Sequence, residues 1–285
     1  MLGRAKFTKD YLSQFEEQGF AVVRGVFGPT DIAELSAACD RVEAEGLKHD
    51  TSFRHKNLFY RIGQDAKLGK VLRMAQWPSY EEAVLERFRR DPRLLEILSP
   101  LLGTDLKQII NQVHWKHGGA EKAEFGYHQD IRFRRPRAAY RNTRRSYLQT
   151  GIAIDPQNAD NGALRLYPGS HRLGELQLGG RGPVMESSLT DQDLLSHGLD
   201  PKNIVTLELE PGDVAFWGLY TIHGSGPNHS GRDLRRFYLN SYVRAEDCDR
   251  GEWTFRGGEP CPLGDAVLVH YEELYSRPEP HYLSS

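Results

Sequence analysis

Tyr127-His128-Gln129-Asp130 sets an imidazole and a carboxylate two residues apart. In an extended segment residues i and i+2 project to the same side, so His128 and Asp130 can converge on one ion. A His-x-Asp pair also arises by chance in many chains, and a solvated surface pair is the plain alternative. A second histidine of interest, His223, lies in Tyr220-Thr-Ile-His-Gly-Ser-Gly-Pro-Asn228, downstream of Asp213-Val-Ala-Phe-Trp217. It is expected to end a strand over Tyr220–His223 and enter a Gly/Pro-rich turn, where its ring can reach a site without filling core. Arg235 and Arg236 follow after a span long enough for a turn and a return along a neighbouring strand. Either guanidinium could fork onto a small carboxylate.

Two histidines and one carboxylate leave three positions open on a six-coordinate ferrous ion. Two can take a bidentate 2-oxo acid and the third dioxygen, while the acid's remote carboxylate needs a fixed cation, for which arginine is suited. His128, Asp130, His223 and a downstream arginine thus meet the requirements of an oxygenase that uses Fe(II), 2-oxoglutarate and O2.

Other residues could complete such a site. Alternation along a strand over Leu106–His117 puts Gln112, His114 and Lys116 on one face, either as a pocket wall or as a solvated strand face. Ser225 and Asn228 follow His223 closely and either bond a cosubstrate or shape the turn. Trp115, Phe125, Tyr127, Phe133, Trp217 and Tyr238 divide between core and pocket. The segment Ile131–Leu148 carries Arg132, Arg134, Arg135, Arg137, Arg141, Arg144 and Arg145 with no acidic residue. It reads either as a solvated loop or as a lid that attracts an anionic substrate, with Arg141, Arg144 and Arg145 as the residues to test.

The elements that must position these groups are helices first and strands later. Thr8 precedes a helical pattern through Phe15 that Gly19 stops, and Phe20–Val26 reads as a short strand. Thr30 is a candidate N-cap for a helix carrying Ile32, Leu35, Ala38 and Val42 and ending near Gly46. A second helical region, Tyr80 to Leu102, breaks at Asp91-Pro92 and closes at Gly103. Strands are expected over Leu106–His117, Tyr147–Asp155, Gly162–Tyr167, Ile204–Glu210, Asp213–Trp217, Tyr220–His223 and Arg235–Val243, separated by turns rich in Gly, Pro and Asn. This order predicts a β-sandwich or barrel with helices packed outside. One domain over residues 1–285 is expected, with a mainly helical part (1–103), a β core (104–245) and a C-terminal extension (246–285). In that extension Trp253, Phe255, Tyr271, Tyr275 and Tyr282 suggest a packed tail or a homodimer contact.

The sequence resembles the phytanoyl-CoA dioxygenase-like family of iron(II)/2-oxoglutarate oxygenases in five ordered segments: FEEQGFAVVRGVFGPTDIAEL, YHQD, NGALRLYPGSHR, PGDVAFWGLYTIHGSGPNHSG and LRRFYLNSYVRAEDC. The resemblance implies a mainly β fold with flanking helices, built on a double-stranded β-helix (a jelly-roll, cupin-like core). It assigns His128, Asp130 and His223 to the metal and Arg235 to the distal carboxylate of 2-oxoglutarate. The turn after His223 is longer than the family pattern, which keeps Arg236 as an alternative. Ser241-Tyr242 and Glu246-Asp247-Cys248 stay in register with the family if Arg235 is the match. Gly151 stands where relatives often carry a tryptophan, a change expected to widen the pocket. Because Asp130 retains the carboxylate that halogenases of the family lack, the resemblance favours hydroxylation of a small molecule with release of succinate and CO2. Desaturation, epimerisation and cyclisation remain open outcomes.

Composition excludes several other classes. The 285 residues are 39% hydrophobic and 10% aromatic, enough for a substantial core, so a largely disordered chain is excluded. A formal charge of −2 removes the basic excess of a non-specific nucleic-acid binder, and the arginine run is interleaved with few stacking aromatics. No apolar run approaches the roughly 18–20 residues that span a bilayer, and the N-terminus lacks an apolar export signal. Cys39, Cys248 and Cys261 are an odd set that fits reduced thiols and a cytoplasmic compartment. A non-catalytic metal-binding jelly roll is the remaining rival, opposed by the presence of all four candidate site groups.

Overall fold

The computed structural model describes residues 10–120, 123–178, 189–264 and 281–283. Helix α1 (Asp10–Gln18) lays Tyr11, Leu12 and Phe15 on the core and ends at Gly19, whose φ of +84° favours glycine. Strand β1 (Phe20–Val23) follows directly. Helix α2 (Pro29–Gly46) buries Leu35, Ala38, Cys39 and Val42, the stripe expected from their spacing. Its N-cap is Gly28 and not Thr30. The Asp31 carboxylate reaches back to accept from the Gly28 N–H at 3.0 Å, which leaves Thr30 inside the first turn.

Between α2 and the next helix the chain forms three strands that the sequence pattern conceals: β2 (Ser52–His55), β3 (Leu58–Asp65) and β4 (Gly69–Gln76). Their inward positions include Arg54, Asp65 and other polar groups, so no clean apolar alternation is left to read. The predominantly helical segment 1–103 is therefore also a source of sheet. Helices α3 (Ala83–Arg89) and α4 (Pro92–Leu102) come next, parted where expected because Asp91 caps α4 by accepting from the Arg93 N–H at 2.9 Å.

The remaining strands are β5 (Leu106–Lys116), β6 (Phe125–His128), β7 (Tyr147–Ala153), β8 (Leu164–Leu166), β9 (Val205–Thr206), β10 (Val214–Gly218), β11 (His223–Ser225), β12 (Arg235–Arg244), β13 (Glu252–Arg256), β14 (Glu259–Pro260) and β15 (His281–Leu283), with the short helix α5 (Asp191–Leu195) before β9. From β5 to β12 the chain shuttles between two antiparallel sheets. The large one contains β1-β10-β7-β12-β5-β4-β3-β2-β15, and the small one β6-β11-β8-β9. This is the jelly-roll arrangement expected. The N-terminal strands extend the large sheet past β5, and β13 pairs with the other end of β5. The tail thus packs at Phe255, which is fully buried, and at Trp253. Tyr271 and Tyr275 lie outside the described residues, as does the side chain of Tyr282.

Alternation on the large sheet divides its two faces. Val113, Ile152, Phe216 and Tyr238 pack against Leu35, Leu85, Phe88 and Leu98 of the helices. Gln112, His114, Gln149, Trp217, Phe237 and Leu239 point the other way and wall a cavity. One strand starts later than expected: Tyr220–Ile222 is not β, and His223 begins β11 instead of ending a strand. Thr221 Oγ1 donates to Gly19 O at 2.7 Å and the Ile222 N–H donates to Ser170 Oγ at 2.9 Å, so side chains occupy these residues before the ladder begins. No helix among the described residues is long and apolar enough to cross a membrane.

Gly212, in the turn before β10, joins the helical layer to the sheet. Its carbonyl accepts from Phe27 N–H at 3.1 Å and its N–H donates to Ala153 O at 2.9 Å. At φ +95° an added Cβ would lie 2.0 Å from Phe27 O. Gly212→Ala is expected to cost about 2–4 kcal/mol in urea unfolding, against about 1 kcal/mol for Gly69→Ala, whose Cβ would meet nothing within 4 Å.

Candidate functional site

Pairing of β6 with β11 places His223 directly opposite His128, with ring centroids 4.1 Å apart. Each Nδ1 bonds the carbonyl two residues earlier: His128 to Gly126 O at 2.8 Å and His223 to Thr221 O at 2.9 Å. A carbonyl only accepts, so both Nδ1 atoms carry a proton, and Nε2 is the nitrogen each ring turns to the shared centre. Burial, then the neighbouring His223, hold the His128 pKa well below the usual histidine range, which keeps this ring neutral. Asp130 follows β6 in a short 3-10 turn and brings Oδ1 to 3.9 Å from His128 Nε2 and 3.8 Å from His223 Nε2. Those gaps are too long for hydrogen bonds and short enough to share one ion.

The ligating atoms of the three residues lie within 4.8 Å of one another and all three residues are buried. Asp130 Oδ2 is buried with no hydrogen-bond partner among the described residues. An orphaned carboxylate oxygen is costly, and a divalent cation would satisfy it. Two imidazoles and one carboxylate are the donor set suited to ferrous iron with open positions.

Gln129, which the sequence reading passed over, fixes this geometry. Its Nε2 donates to Gly174 O at 2.8 Å and Tyr220 O at 2.7 Å, and its Oε1 accepts from Leu176 N–H at 2.7 Å. The side chain between the two β6-side ligands is thus bonded to the segment that leads into His223. Its position inside YHQD was the only available signal.

The triad opens on a cavity of about 520 Å³ lined by Arg235, Ser225, Gln112 and His114. Arg235 is 2% exposed, donates from Nε to Gln157 Oε1 at 3.1 Å, and makes no ion pair among the described residues. Its guanidinium lies over Phe237, Phe237 stacks on Trp217, and Trp217 contacts His223, a continuous wall from cation to metal cluster. Burial depresses the Arg235 pKa, a shift that a docked carboxylate would oppose. Arg236, one residue on, points to the other face and forks onto Asp155 while also bonding Asp40. Of the two arginines only Arg235 faces the cavity.

Gln112 and His114 form part of the wall, bonded to each other at 2.9 Å. Burial, with Arg235 and Lys116 adding, pushes His114 down to about 3, so its ring is neutral. Lys116 departs from the expectation for this strand face. It stands behind the cavity, donating to Ser225 Oγ at 2.7 Å and to Gly226 O, with its ammonium over the Phe125 ring. Asn228 shapes the turn by donating to Lys116 O and Asp233 O. Phe125, Phe133 and Trp217 line the cavity, whereas Trp115 and Tyr238 pack under the helices and Tyr127 joins a separate cluster on the small sheet.

Two expectations are corrected. Gly151 does not widen the pocket: the Phe237 ring fills the space, and a Cβ at Gly151 would lie 2.1 Å from Phe237 Cζ. Within the arginine run, Arg141, Arg144 and Arg145 are exposed and do not line the cavity. Arg141 forks onto Asp249, and Arg144 lies over the Tyr220 ring. The cavity-facing members are Arg132, Arg134 and Arg135, and Phe59, Arg61, Met74 and Gln76 join them from β3 and β4. Sequence offered no route to these last four, because their strands were not visible.

The chain matches the family described as phytanoyl-CoA dioxygenase (PhyH) over residues 15–237. It is 25% identical over 247 residues to the "Probable alpha-ketoglutarate-dependent hypophosphite dioxygenase" of Stutzerimonas stutzeri, covering 82% of this chain and 77% of that protein. Identity to an ectoine dioxygenase of Bordetella bronchiseptica is 25% over 250 residues, covering 80% of this chain and 74% of the relative. The fold is shared with EctD from S. alaskensis, solved with 2-oxoglutarate and 5-hydroxyectoine, at a TM-score of 0.64 and 20% identity, covering 99% of this chain and 88% of that one.

Removing the Gln129 amide strands three backbone groups and loosens the turn that holds Asp130. Gln129→Ala is expected to lower stability by about 3 kcal/mol in urea unfolding and to weaken Fe(II) binding by about tenfold or more in anaerobic titration.

Proposed function

The chain belongs to the phytanoyl-CoA dioxygenase family of non-haem iron, 2-oxoglutarate-dependent dioxygenases, and from that premise we propose that it hydroxylates a small organic metabolite or natural-product intermediate. His128, Asp130 and His223 hold the iron, and Arg235 pairs with the distal carboxylate of 2-oxoglutarate. The observation that carries this reading is the opening of both ends of the site onto one cavity: three buried donors around Asp130 Oδ2, which has no hydrogen-bond partner among the described residues, and a buried arginine that makes no ion pair among them. Bound in the triad, ferrous iron supplies the activation of dioxygen coupled to oxidative decarboxylation of 2-oxoglutarate to succinate and CO2.

The protein's own groups position and shield. The Arg235 fork holds the distal carboxylate, held in place from behind by Gln157. Lys116 donates to Ser225 Oγ, which leaves the Ser225 hydroxyl proton directed to an acceptor in the cavity, such as that same carboxylate. Phe237, Trp217 and Leu239 form a dry wall between the arginine and the triad, excluding water from the reacting centre. Asp130 occupies the position that halide binding would need vacated, which favours hydroxylation over halogenation.

Anaerobic addition of Fe(II) and then 2-oxoglutarate to the apoprotein is expected to raise a visible metal-to-ligand charge-transfer band. Asp130→Ala and His223→Ala should abolish the band. Arg235→Gln should raise the half-saturating 2-oxoglutarate concentration by about ten- to hundredfold. A parent protein that stays colourless while folded, or an Arg235→Gln variant with unchanged affinity, would sink this reading.

A further inference from the structure

The loop after the metal motif turns part of its charge inward. Arg132, Arg134 and Arg135 line the cavity together with Arg61 of β3, and Asp130 is the one acidic residue among the described lining residues. Arg134 is 1% exposed, yet its Nε and Nη1 have no hydrogen-bond partner among the described residues, while its Nη2 donates to Tyr147 Oη at 3.2 Å and its guanidinium lies over the Tyr147 ring. Arg135 is exposed at the cavity rim and donates to the Arg134 carbonyl. Among the described residues neither makes an ion pair, whereas Arg137 pairs with Glu175, Arg141 with Asp249 and Arg236 with Asp155.

Burying a guanidinium without a paired anion is expensive, and a buried cavity-lining arginine in that state, Arg134, points to a ligand that brings the anion, with the exposed Arg135 beside it at the rim. Asp130 does attract Arg134, but its carboxylate belongs to the metal triad. Arg235 lies along the Phe237–Trp217 wall and is assigned to the cosubstrate, so the Arg134/Arg135 pair needs a different anion. The rest of the lining is apolar to a degree that a bare inorganic ion would not require: Phe59, Met74, Ile110, Phe125, Phe133 and Leu164. Phe133, 39% exposed, stands with its ring edge toward His128 and the Arg132 guanidinium over it, a large apolar surface open beside the metal cluster.

Resting on the enzyme assignment above, we propose that the substrate is an organic acid with an apolar body, whose carboxylate or phosphonate is held by Arg134 and Arg135 while the body lies along Phe59, Met74, Phe125 and Phe133. At about 520 Å³, the cavity is in the size range of organic-ligand sites, and a small oxyanion alone would leave its aromatic wall unfilled.

Calorimetric titration of the anaerobic Fe(II)–2-oxoglutarate protein tests this with four probes: 3-phenylpropanoate, 2-phenylethylphosphonate, neutral 3-phenylpropanamide and inorganic phosphite. One or both organic acids should bind about tenfold or more tightly than the amide and than phosphite, and the stronger of the two identifies the head group. Arg134→Gln and Arg135→Gln should each remove most of that preference, with Arg135→Gln, at the rim, as the variant least able to disturb folding. Arg141→Gln should behave as the parent. Equal binding of acid and amide, retention of the preference in both variants, or failure of both acids to bind would overturn the proposal. Phosphite binding as tight as either acid would overturn the apolar body. The charge-transfer titration on the same samples separates the two readings: a parent that forms the band yet shows no acid preference refutes the substrate class alone, and a parent without the band refutes the enzyme assignment.

Discussion

The site depends on one cross-strand register, the pairing of His223 with His128 between two strands of three and four residues. A slip of one residue would turn each imidazole to the other face of the sheet. Ladders this short cannot hold register alone, and the structure reinforces them with side chains. Thr221 and Ser170 bind the approach to β11, Gln129 ties the turn after β6 to the same approach, and the Ile131 N–H donates to Leu219 O at 3.1 Å. The symmetry of the two Nδ1–carbonyl bonds follows from this register, because each ring is turned back onto its own chain and each Nε2 onto the shared centre.

Arg235 and Arg236 show how the pleat assigns roles. The two are chemically identical and adjacent, and a strand points them to opposite faces. On the helix side Arg236 meets Asp155 and Asp40 and joins α2 to the sheet. On the cavity side Arg235 bonds Gln157, lies over Phe237, and makes no ion pair among the described residues. The difference between a structural ion pair and a ligand-binding cation is therefore set by partner supply and not by residue type.

This also marks what could be read in advance. The His-x-Asp spacing, the later histidine and the tandem arginines were legible because each pair of ligands is separated by a strand or a turn with its own local signal. Most strands of the jelly roll were legible for the same reason, but β6 was not among those expected and β11 begins where its strand was expected to end. Strands β2 to β4 were not legible, because their inward residues include Arg54 and Asp65, which break the apolar alternation. The inward half of the arginine run was equally hidden: Arg134 and Arg141 are alike in sequence, and only the docking of the 3-10 turn at Asp130 against Leu219 decides which faces inward. Gly151 misled for a related reason, since the volume it vacates is taken by Phe237 from the neighbouring strand.

The cavity is consequently built from two sources with different constraints. The jelly-roll strands β5, β6, β10, β11 and β12 supply the two histidines, Arg235 and the wall between them, positions set by registers shared with other strands, while Asp130 comes from the 3-10 turn after β6. The opposite side comes from β3, β4 and the loop after Asp130; β4 joins the sheet by pairing with Gln112–His114 of β5, and Tyr60, Ile62 and Leu72 anchor β3 and β4 in the core. No ladder connects β3 or β4 to β6 or β11, whereas the loop residues share a 3-10 turn with Asp130. The two sides of the cavity are thus held differently: one by closed pairings inside the jelly roll, the other by an appended sheet edge and by the turn in which Arg134 donates to Tyr147 Oη.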